Sequence, residues 1–333
     1  MKFGEETVRL SQGAILAHSV DLSGDGRLRK GVVLGARELE KLEAAGHETV
    51  VVARLEPGDL GEDPAAAQIA AALVPDAQAA GLVIGAAARG RVNIHAACAG
   101  VLQLDVARLH AANLVDPMIT LATLPAFQRV SAGMLVATVK IIAYGVAAEP
   151  VHQVASILHD AMVVAPVKMR HATLIQTRLS PRDDVLALKG EAAVAARLQA
   201  LGITLTASVR CDHRVEAIAG EMSRAEGELV LVLTASATSD PNDVAPAALR
   251  AAGGEVTRFG MPVDPGNLLF LGQLAGRDVI GLPGCVRAPA LNGADWVLER
   301  VVCGLAPTDD DIAAMGVGGL LKESPQRGYP REA

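Results

Sequence analysis

The chain has 333 residues, a formal net charge of -7, 51% hydrophobic residues and only 2% aromatic residues. A chain of this length exceeds what one hydrophobic core usually organises, so we expect two or three domains. The negative charge, without a Lys/Arg cluster interleaved with aromatic residues, argues against nucleic acid as a partner. We expect a small-molecule ligand instead.

The four cysteines lie far apart and form no CxxC pair. This spacing favours neither a zinc site nor a disulfide framework and is typical of reduced intracellular thiols. The amino terminus carries charges in place of an apolar signal core, and no run of about 18 apolar residues occurs. We therefore expect a cytoplasmic protein without a membrane span.

Residues 1–150 show short strand and helix patterns in mixed order. The predicted elements are strands at 8–17, 49–55, 82–84, 91–94, 120–124 and 133–143, and helices at 37–45 and 63–80. We interpret this part as a mixed α+β region of one or two small domains, of unknown function. A linker helix is predicted within residues 151–167.

Residues 168–305 alternate strands with helices. The predicted elements are strands at 172–176, 205–209, 228–233 and 278–281, and helices at 191–201, 215–224 and 293–305. Alternating order around an apolar central strand predicts a mainly parallel sheet between helices, a three-layer α/β/α sandwich. Residues 306–333 form a Gly/Pro-rich tail that we expect to be loosely ordered.

The loop after the most buried strand is the first place to look for a ligand, because ligands of open α/β sheets bind beyond the carboxyl ends of the strands. The polar side chains of this loop, TASATSDPNDVAP, are Thr234, Ser236, Thr238, Ser239, Asp240 and Asp243. Small residues let backbone amides approach an anion, and a helix beginning near Val244 adds its positive end. The alternative is that the last three polar residues only cap that helix.

A second carboxylate, Asp212, lies where another predicted strand passes into a helix. It is therefore expected at the same crevice as Asp243. Converging carboxylates suit a divalent cation that bridges phosphates. We therefore predict Asp212 and Asp243 as ligands of a divalent cation.

The segment after the last strand, LPGCVR, points to the same edge of the sheet. The backbone N–H groups of Gly284, Cys285 and Val286, after Pro283, are expected to face the crevice at the start of a helix. Arg287 is available as a fork for phosphate or carboxylate. The alternative for this arginine is an ordinary solvated surface position.

Two stretches of the chain resemble the molybdopterin-binding domain of molybdenum-cofactor biosynthesis proteins. Residues 260–284, GMPVDPGNLLFLGQLAGRDVIGLPG, look like the GMPVKPGKPL…GLPG stretch of molybdopterin molybdenumtransferases. Residues 233–246 look like the TTGGTGxxxRDVTP loop of molybdopterin adenylyltransferases, in the register set by Asp243, Val244 and Pro246. The resemblance extends over residues 168–305. The pattern also looks similar to the amino-terminal part of fused proteins in which this domain precedes a molybdenum-cofactor nucleotidyltransferase domain.

The resemblance implies a domain, often homo-oligomeric, that holds the pyranopterin and phosphate of molybdopterin at the strand ends. By position, Asp243 matches the loop carboxylate that the family uses with magnesium and nucleotide, and Asp212 matches the earlier carboxylate. The resemblance therefore implies that Asp243 and Asp212 are catalytic residues and ligands of magnesium. The implied cofactor-binding residues are Thr234, Ser236, Ala237, Thr238, Ser239, Pro283, Gly284, Cys285 and Arg287. Among them, Ser236, Ala237 and Thr238 occupy the phosphate-cradling positions.

The chain also departs from the family pattern. The paired glycines of the loop become Ala235 and Ser236, a later glycine becomes Thr238, and the polar residue after LPG becomes Cys285. Each added side chain narrows the room for a phosphate, so binding is better supported than turnover. If catalysis survives, we expect a nucleotidyl- or molybdenum-transfer step that uses magnesium.

We therefore expect a protein that binds molybdopterin or molybdenum cofactor and acts in its maturation or delivery. Its partner would be a separate nucleotidyltransferase or a molybdoenzyme, because the Gly-rich LAAGxSxRxG signature of the fused transferase domain is missing from the sequence. The alternative hypothesis is a decayed molybdopterin-binding fold that serves as an assembly or regulatory module without catalysis.

Overall fold

The computed structural model describes residues 1–22, 24, 26–180 and 183–323. The chain divides into two compact units, residues 1–164 and residues 165–333, and each contains its own buried apolar residues. No helix of the described residues combines the length and the apolar character that crossing a membrane requires.

The first unit combines fourteen strands with four α-helices among its described residues. The strands are β1 (Lys2–Thr7), β2 (Ile15–Leu16), β3 (Val20–Asp21), β4 (Arg27–Leu28), β5 (Thr49–Arg54), β6 (Asp59–Gly61), β7 (Leu82–Ile84), β8 (Arg91–Ala96), β9 (Gly100–Leu104), β10 (Ile119–Thr123), β11 (Arg129–Val130), β12 (Leu135–Ile141), β13 (Gly145–Ala147) and β14 (Met162–Pro166), which runs past the unit boundary. The helices are α1 (Ala36–Ala44), α2 (Glu62–Leu73), α3 (Val106–Asn113) and α4 (Ala148–Leu158).

These strands form several small sheets around two apolar cores. One core gathers β1, β2, β5 and α1 around Leu16, Leu34 and Leu42. The other lies under the sheet of order β10-β12-β8-β7 and contains Ile94 and Leu102. The unit is thus a mixed α+β structure, with the predicted helix at 37–45 and strand at 49–55 confirmed as α1 and β5.

Two predicted elements of this unit are wrong in extent. Of the strand expected at 8–17, only Ile15–Leu16 is extended, as β2. The range begins instead with a 3-10 helix, Val8–Leu10, followed by a turn in which the Ser11 hydroxyl donates to Thr7 O at 2.9 Å. The helix expected at 63–80 ends at Leu73, because Pro75 disfavours the helical conformation at the residue before it.

Helix α4 covers part of the segment predicted as a linker, residues 151–167. Its residues Val151, Val154 and Leu158 are buried in the larger core of the first unit. The helix therefore packs as part of that unit, and the remainder of the segment forms β14.

The second unit contains six strands and five α-helices among its described residues. These are β15 (His171–Arg178), α5 (Asp184–Ala200), β16 (Thr204–Asp212), α6 (Val215–Arg224), β17 (Leu229–Leu233), α7 (Val244–Ala251), β18 (Glu255–Phe259), β19 (Phe270–Leu274), β20 (Arg277–Leu282), α8 (Gly293–Val302) and α9 (Asp309–Ala314). Two 3-10 helices, Gly284–Arg287 and Leu321–Glu323, also lie in the described part of this unit.

All six strands form one mixed sheet of order β16-β15-β17-β20-β19-β18. The first four strands in this order, β16, β15, β17 and β20, are parallel, as the alternating pattern predicts. Strand β19 is antiparallel to both of its neighbours. Strand β17 is buried along its whole length, in agreement with its continuous apolar run.

The strand order reverses at β15. From β15 the chain passes to β16 on one side and then crosses to β17 on the other side. Helices α6 and α7 pack on Ile175 and Val232, whereas Gly190 of α5 lies against Gln176 and Leu233. Since successive strand residues point to opposite faces, α5 contacts the face opposite to α6 and α7. A reversal of this kind places a ligand crevice between the carboxyl ends of β15 and β17.

A tight hairpin joins β19 to β20. Its two-residue turn, Ala275–Gly276, has positive φ at both positions, as type I′ turns require. Across the hairpin, Phe270 pairs with Gly281, and a Cβ at residue 281 would lie only 1.9 Å from the Phe270 ring. Gly281 is therefore required by packing on Phe270.

The segment predicted as a loosely ordered tail is packed over its described part. Helix α9 buries Ile312, and the 3-10 helix Leu321–Glu323 buries Leu321. A capping box between Thr308 and Asp311 begins α9. Residues 324–333 of the predicted tail lie outside the described residues.

Candidate functional site

The carboxyl ends of the four parallel strands meet at one edge of the sheet. Gln176 lies opposite Leu233, and Leu233 lies opposite Leu282. Arg178 lies opposite Asp212 in the same way. The β17–α7 loop (residues 234–243) and the β20–α8 loop (residues 283–292) therefore leave the sheet side by side.

The β17–α7 loop is shaped by its own side chains. The buried Thr234 hydroxyl donates to Ser236 O at 2.6 Å and lies 3.3 Å from the Thr238 hydroxyl. Asp243 accepts from the N–H groups of Ser239 at 3.0 Å and Val244 at 2.7 Å. Asp243 is the N-cap of α7, which begins at Val244 as predicted.

Three consecutive backbone N–H groups of this loop lack a hydrogen-bond acceptor among the described residues. In the part of the chain that the structure describes, the backbone N–H groups of Ser236, Ala237 and Thr238 donate to no acceptor. The Ser236 and Ala237 residues are exposed, so their amides are open to a ligand or to water. These are the positions predicted to cradle a phosphate, and successive free N–H groups are a common anion-binding arrangement.

The two predicted metal-binding carboxylates have separate surroundings. Asp243 uses one oxygen for each of its two backbone donors, which is the capping alternative. Asp212 lies 3.7 Å from Arg178 Nε and 3.3 Å from Arg214 Nη2. Among the described residues, the two carboxylates share no partner, and no group of three or more His, Cys, Asp or Glu residues could hold a metal ion. Their catalytic and magnesium-binding roles stay predictions.

The β20–α8 loop begins with the 3-10 helix Gly284–Arg287 and not with the α-helix predicted after LPG. It is held by Arg197, a side chain of α5 that donates to the carbonyl oxygens of Val286, Ala288 and Ala290 at 3.0, 2.9 and 3.3 Å. Arg197 Nε also lies 2.5 Å from Asp295 of α8, and both side chains are 13% exposed. This partly buried arginine therefore ties the loop to two helices.

Two further contacts shape the β20–α8 loop. Asn292, the buried N-cap of α8, donates through Nδ2 to Cys285 Sγ at 3.0 Å. Pro283 is buried, whereas Gly284 and Cys285 are exposed. The predicted residues of this loop therefore lie at the surface edge of the site, directly after the buried end of β20.

Arg287 joins the two loops. Its Nη2 donates to Thr234 O at 2.8 Å and its Nη1 to Gly284 O at 3.3 Å, so the predicted fork uses two of its nitrogens on carbonyl oxygens. Burial lowers the pKa of Arg287 from its ordinary value, and the nearby carboxylate of Asp183 acts in the opposite direction. The guanidinium remains charged and, being partly removed from water, is an attractive partner for an anion.

Buried polar atoms without partners lie beside this arginine. Gln176 is 1% exposed, and neither its Oε1 nor its Nε2 has a hydrogen-bond partner among the described residues; the same is true of the buried Nε of Arg287. A Cβ added at Gly190 would lie 2.7 Å from Gln176 Oε1 and 3.6 Å from Arg287 Cγ, so the two side chains flank this glycine. A buried unpaired amide is costly, which makes this the place where a ligand or water atom is most needed.

The site also contains a hydrogen-bond chain that the sequence analysis did not find. Ala235 N–H donates to the buried Thr177 hydroxyl at 2.8 Å, and this hydroxyl lies 2.9 Å from His213 Nδ1. The chain joins the ends of β15, β16 and β17. We call Gln176, Thr177, His213, residues 234–238 and Arg287 the strand-end site.

The structure thus brings the predicted Thr234, Ser236, Ala237, Thr238 and Arg287 together. Ser239 lies farther along the same loop, where its N–H is bound by Asp243. Sequence reasoning missed Gln176, Thr177, Arg197 and His213. A usable signal was available for the first two, because polar residues at the end of an otherwise apolar strand, ATLIQT, are unusual.

Comparisons with known proteins give little further guidance. Residues 7–54, in the first unit, match a domain of unknown function (DUF8806). No curated protein matches the sequence. The family of the second unit is therefore not shown by sequence comparison.

Two solved structures are similar to the chain at a low level. The molybdopterin biosynthesis MoeA protein from Pyrococcus horikosii has 11% identity and a TM-score of 0.31, over 92% of this chain and 76% of that chain. A molybdenum cofactor biosynthesis protein from Pyrococcus furiosus has 10% identity and a TM-score of 0.26, over 93% of this chain and 66% of that chain. TM-scores this low do not establish a common fold, so the candidate site rests on its own residues and contacts.

Proposed function

We propose that the second unit binds molybdopterin or a molybdenum cofactor at the strand-end site and acts in the maturation or delivery of this cofactor. The proposal includes the three-layer α/β/α arrangement that the resemblance of residues 168–305 implies. The observation that carries it is the buried amide of Gln176, which has no hydrogen-bond partner in the described part of the chain, beside the partly desolvated guanidinium of Arg287. Both side chains need a polar partner at the edge where the sequence motifs place the ligand.

The polar groups of the site suit the two ends of such a ligand. The free amides of residues 236–238 and the charge of Arg287 suit a phosphate. A carboxamide such as that of Gln176 both donates and accepts, as the edge of a pterin ring does. The site therefore offers a partner for an anion and a partner for a heterocycle at the same edge of the sheet.

Magnesium is not needed for this binding. Both oxygens of Asp243 already accept from backbone N–H groups, one from Ser239 in the loop and one from Val244 at the start of α7. Asp212 is neutralised by two arginines. Positive charge at the site comes instead from Arg287. Binding is therefore expected to be similar with and without magnesium, and any nucleotidyl- or molybdenum-transfer activity is an additional hypothesis.

The test is an anaerobic titration of the full chain with molybdopterin, followed by pterin fluorescence, in magnesium and in EDTA. We expect Arg287→Ala to weaken binding by about tenfold or more, since it removes a charged hydrogen-bonding partner. The matched control is Arg224→Ala, because Arg224 is exposed and pairs with Glu221 on its own helix, α6. Equal affinities for the wild type and Arg287→Ala would reject the site, and no binding by the wild type would reject the function.

An assembly module remains a second candidate, because one observation favours it. Leu179, directly after β15, is 66% exposed, and Val185 and Leu188, at the start of α5, are 78% and 58% exposed. Exposed apolar side chains that lie close together often mark a protein interface. If the chain binds no pterin, and if Val185→Asp converts a homo-oligomer into monomers in light scattering, this function would replace the first one.

A further inference from the structure

Thr177 has a buried hydroxyl between two partners. The residue is 4% exposed. Its Oγ1 accepts from Ala235 N–H at 2.8 Å and lies 2.9 Å from His213 Nδ1. The position of the hydroxyl hydrogen decides which nitrogen of the imidazole carries a proton.

A threonine hydroxyl has one hydrogen to donate and two lone pairs. Ala235 occupies one lone pair, and His213 Nδ1 is the other partner of Oγ1 within the described residues. If Nδ1 accepts, all groups are satisfied and the ring proton lies on Nε2. The opposite tautomer would direct a second N–H at Oγ1 and leave a buried hydroxyl hydrogen without an acceptor, which is costly.

The ring that Thr177 orients lies next to the predicted phosphate cradle. Two hydrogen bonds separate His213 from the backbone of Ala235, the residue before the free amides of residues 236–238. His213 is half-buried, and its Nε2 has no partner among the residues that the structure describes. The Nε2–H group is therefore available to a ligand.

We propose that Thr177 holds His213 as the Nε2–H tautomer, and that this N–H donates to an anionic oxygen of the ligand in the strand-end site. His213 is thus a binding residue, and Thr177 is a positioning residue that acts through it. The ligand class is a molecule with a phosphate or similar oxyanion. The ligand part rests on the proposed function, whereas the tautomer is a property of the free protein.

The tautomer is measured by two-bond and three-bond ¹⁵N–¹H NMR correlations of the full chain, labelled at histidine, at a pH that keeps the ring neutral. We expect His213 to carry its proton on Nε2, with Nδ1 shifted by the hydrogen bond. Thr177→Ser should preserve this signature, and the isosteric Thr177→Val should abolish the Nδ1 shift. A proton on Nδ1 in the wild type, or an unchanged Nδ1 signal in Thr177→Val, would overturn the proposal.

Ligand binding is measured with the air-oxidised, phosphorylated pterin derived from molybdopterin. His213→Gln places its amide nitrogen near the position of Nε2, whereas His213→Asn places it near Nδ1. We expect His213→Gln to bind within about threefold of the wild type, and His213→Asn and Thr177→Val to bind about tenfold more weakly. Thr177→Ser should bind like the wild type.

The outcomes separate the two proposals. Equal affinity of the wild type and His213→Asn would overturn the role of His213 and leave the proposed function standing. Absence of binding by the wild type would overturn the proposed function and, with it, the ligand part of this proposal. The circular dichroism spectrum of each variant checks that a loss of binding is not a loss of folding.

Discussion

From Ser236 onward, the β17–α7 loop is held by hydrogen bonds with its own residues and with α7, and within the described part of the chain distant residues bind only Thr234 and Ala235. The β20–α8 loop is instead held by Arg197, which lies on α5 and contacts three of its carbonyl groups. Both loops leave the sheet at the same edge. The conformation of most of the first loop is therefore a local property of its sequence. The conformation of the second depends on a residue that is distant in the chain, so the two loops should respond differently to substitution.

The largest expected effect is on the loop held from outside. Arg197→Ala removes one partner of a partly buried ion pair and leaves Asp295 and three carbonyl groups without it. Because a charged group and three acceptors lose their donor, we expect the free energy of unfolding to fall by about 3 kcal/mol. Urea denaturation measures the free energy of unfolding of each variant. The control is Arg224→Ala, which removes an exposed ion pair and should cost less than about 1 kcal/mol. Similar losses in both variants would mean that Arg197 does not hold the loop.

A smaller loss is expected from Gly190→Ala, at the position where α5 meets Gln176 and Arg287. The new Cβ would lie 2.7 Å from Gln176 Oε1 and 2.8 Å from Leu233 Cδ2, so overpacking should cost about 1–3 kcal/mol. The gain in helix propensity, about 1 kcal/mol, offsets part of this loss.

The matched control is Gly220→Ala in α6, where the nearest atom to the new Cβ is Arg224 Nη1 at 3.6 Å. This variant should be more stable than the wild type, because the helix gains an alanine without a clash. Thermal unfolding of the two variants should therefore shift in opposite directions. A shift in the same direction would show that the contacts of Gly190 do not constrain α5.

Asp243→Ala tests the locally held loop. It removes the N-cap of α7 and the acceptor of Ser239 N–H, and we expect a loss of about 1 kcal/mol in the free energy of unfolding. Asp243→Asn should restore most of it, since asparagine is an equally good N-cap. If Asp243 instead binds magnesium, Asp243→Asn will lower the affinity for molybdopterin in magnesium and leave it unchanged in EDTA.

Alkylation of the cysteines is expected to have the smallest effect on stability. Its rate instead measures how accessible the β20–α8 loop is to a reagent. Burial raises the pKa of Cys211 to about 11, so only about one thousandth of this thiol is ionised near pH 8. Cys285 is exposed. Mass spectrometry should find Cys285 alkylated by iodoacetamide at least about tenfold faster than Cys211. Bound ligand should slow the labelling of Cys285, and labelling at an unchanged rate would place the ligand away from this loop.

Local patterns predicted most helices and strands of the second unit. The helical spacing of residues 215–224 predicted α6 with its observed bounds, and the apolar run at 228–233 predicted β17. The hairpin of β19 and β20 was missed in part, although Ala275–Gly276 between two apolar runs is a recognisable turn. In the first unit, short strands depend on pairing with distant partners, so the pattern at 8–17 was misleading.

The candidate site was predictable to the extent that it is local. The order of Thr234, Ser236 and Thr238 after a buried strand was sufficient to predict the β17–α7 loop. The contacts of Thr177 and Arg197 join segments that are far apart in the chain, and no spacing rule connects them. Gln176 was overlooked because a single polar residue in an apolar strand says nothing about its neighbours until the helix above it is placed.

The GLPG sequence contains two glycines that constrain the chain for different reasons. A Cβ at Gly281 would overlap the Phe270 ring, whereas a Cβ at Gly284 would meet only the flexible end of Arg287 at 3.3 Å. The packing of the sheet thus requires glycine at position 281, and this requirement would persist in a protein that no longer bound a ligand. Only the second half of the motif can record selection for binding, so a substitution at Gly284 is the more telling one when related chains are compared.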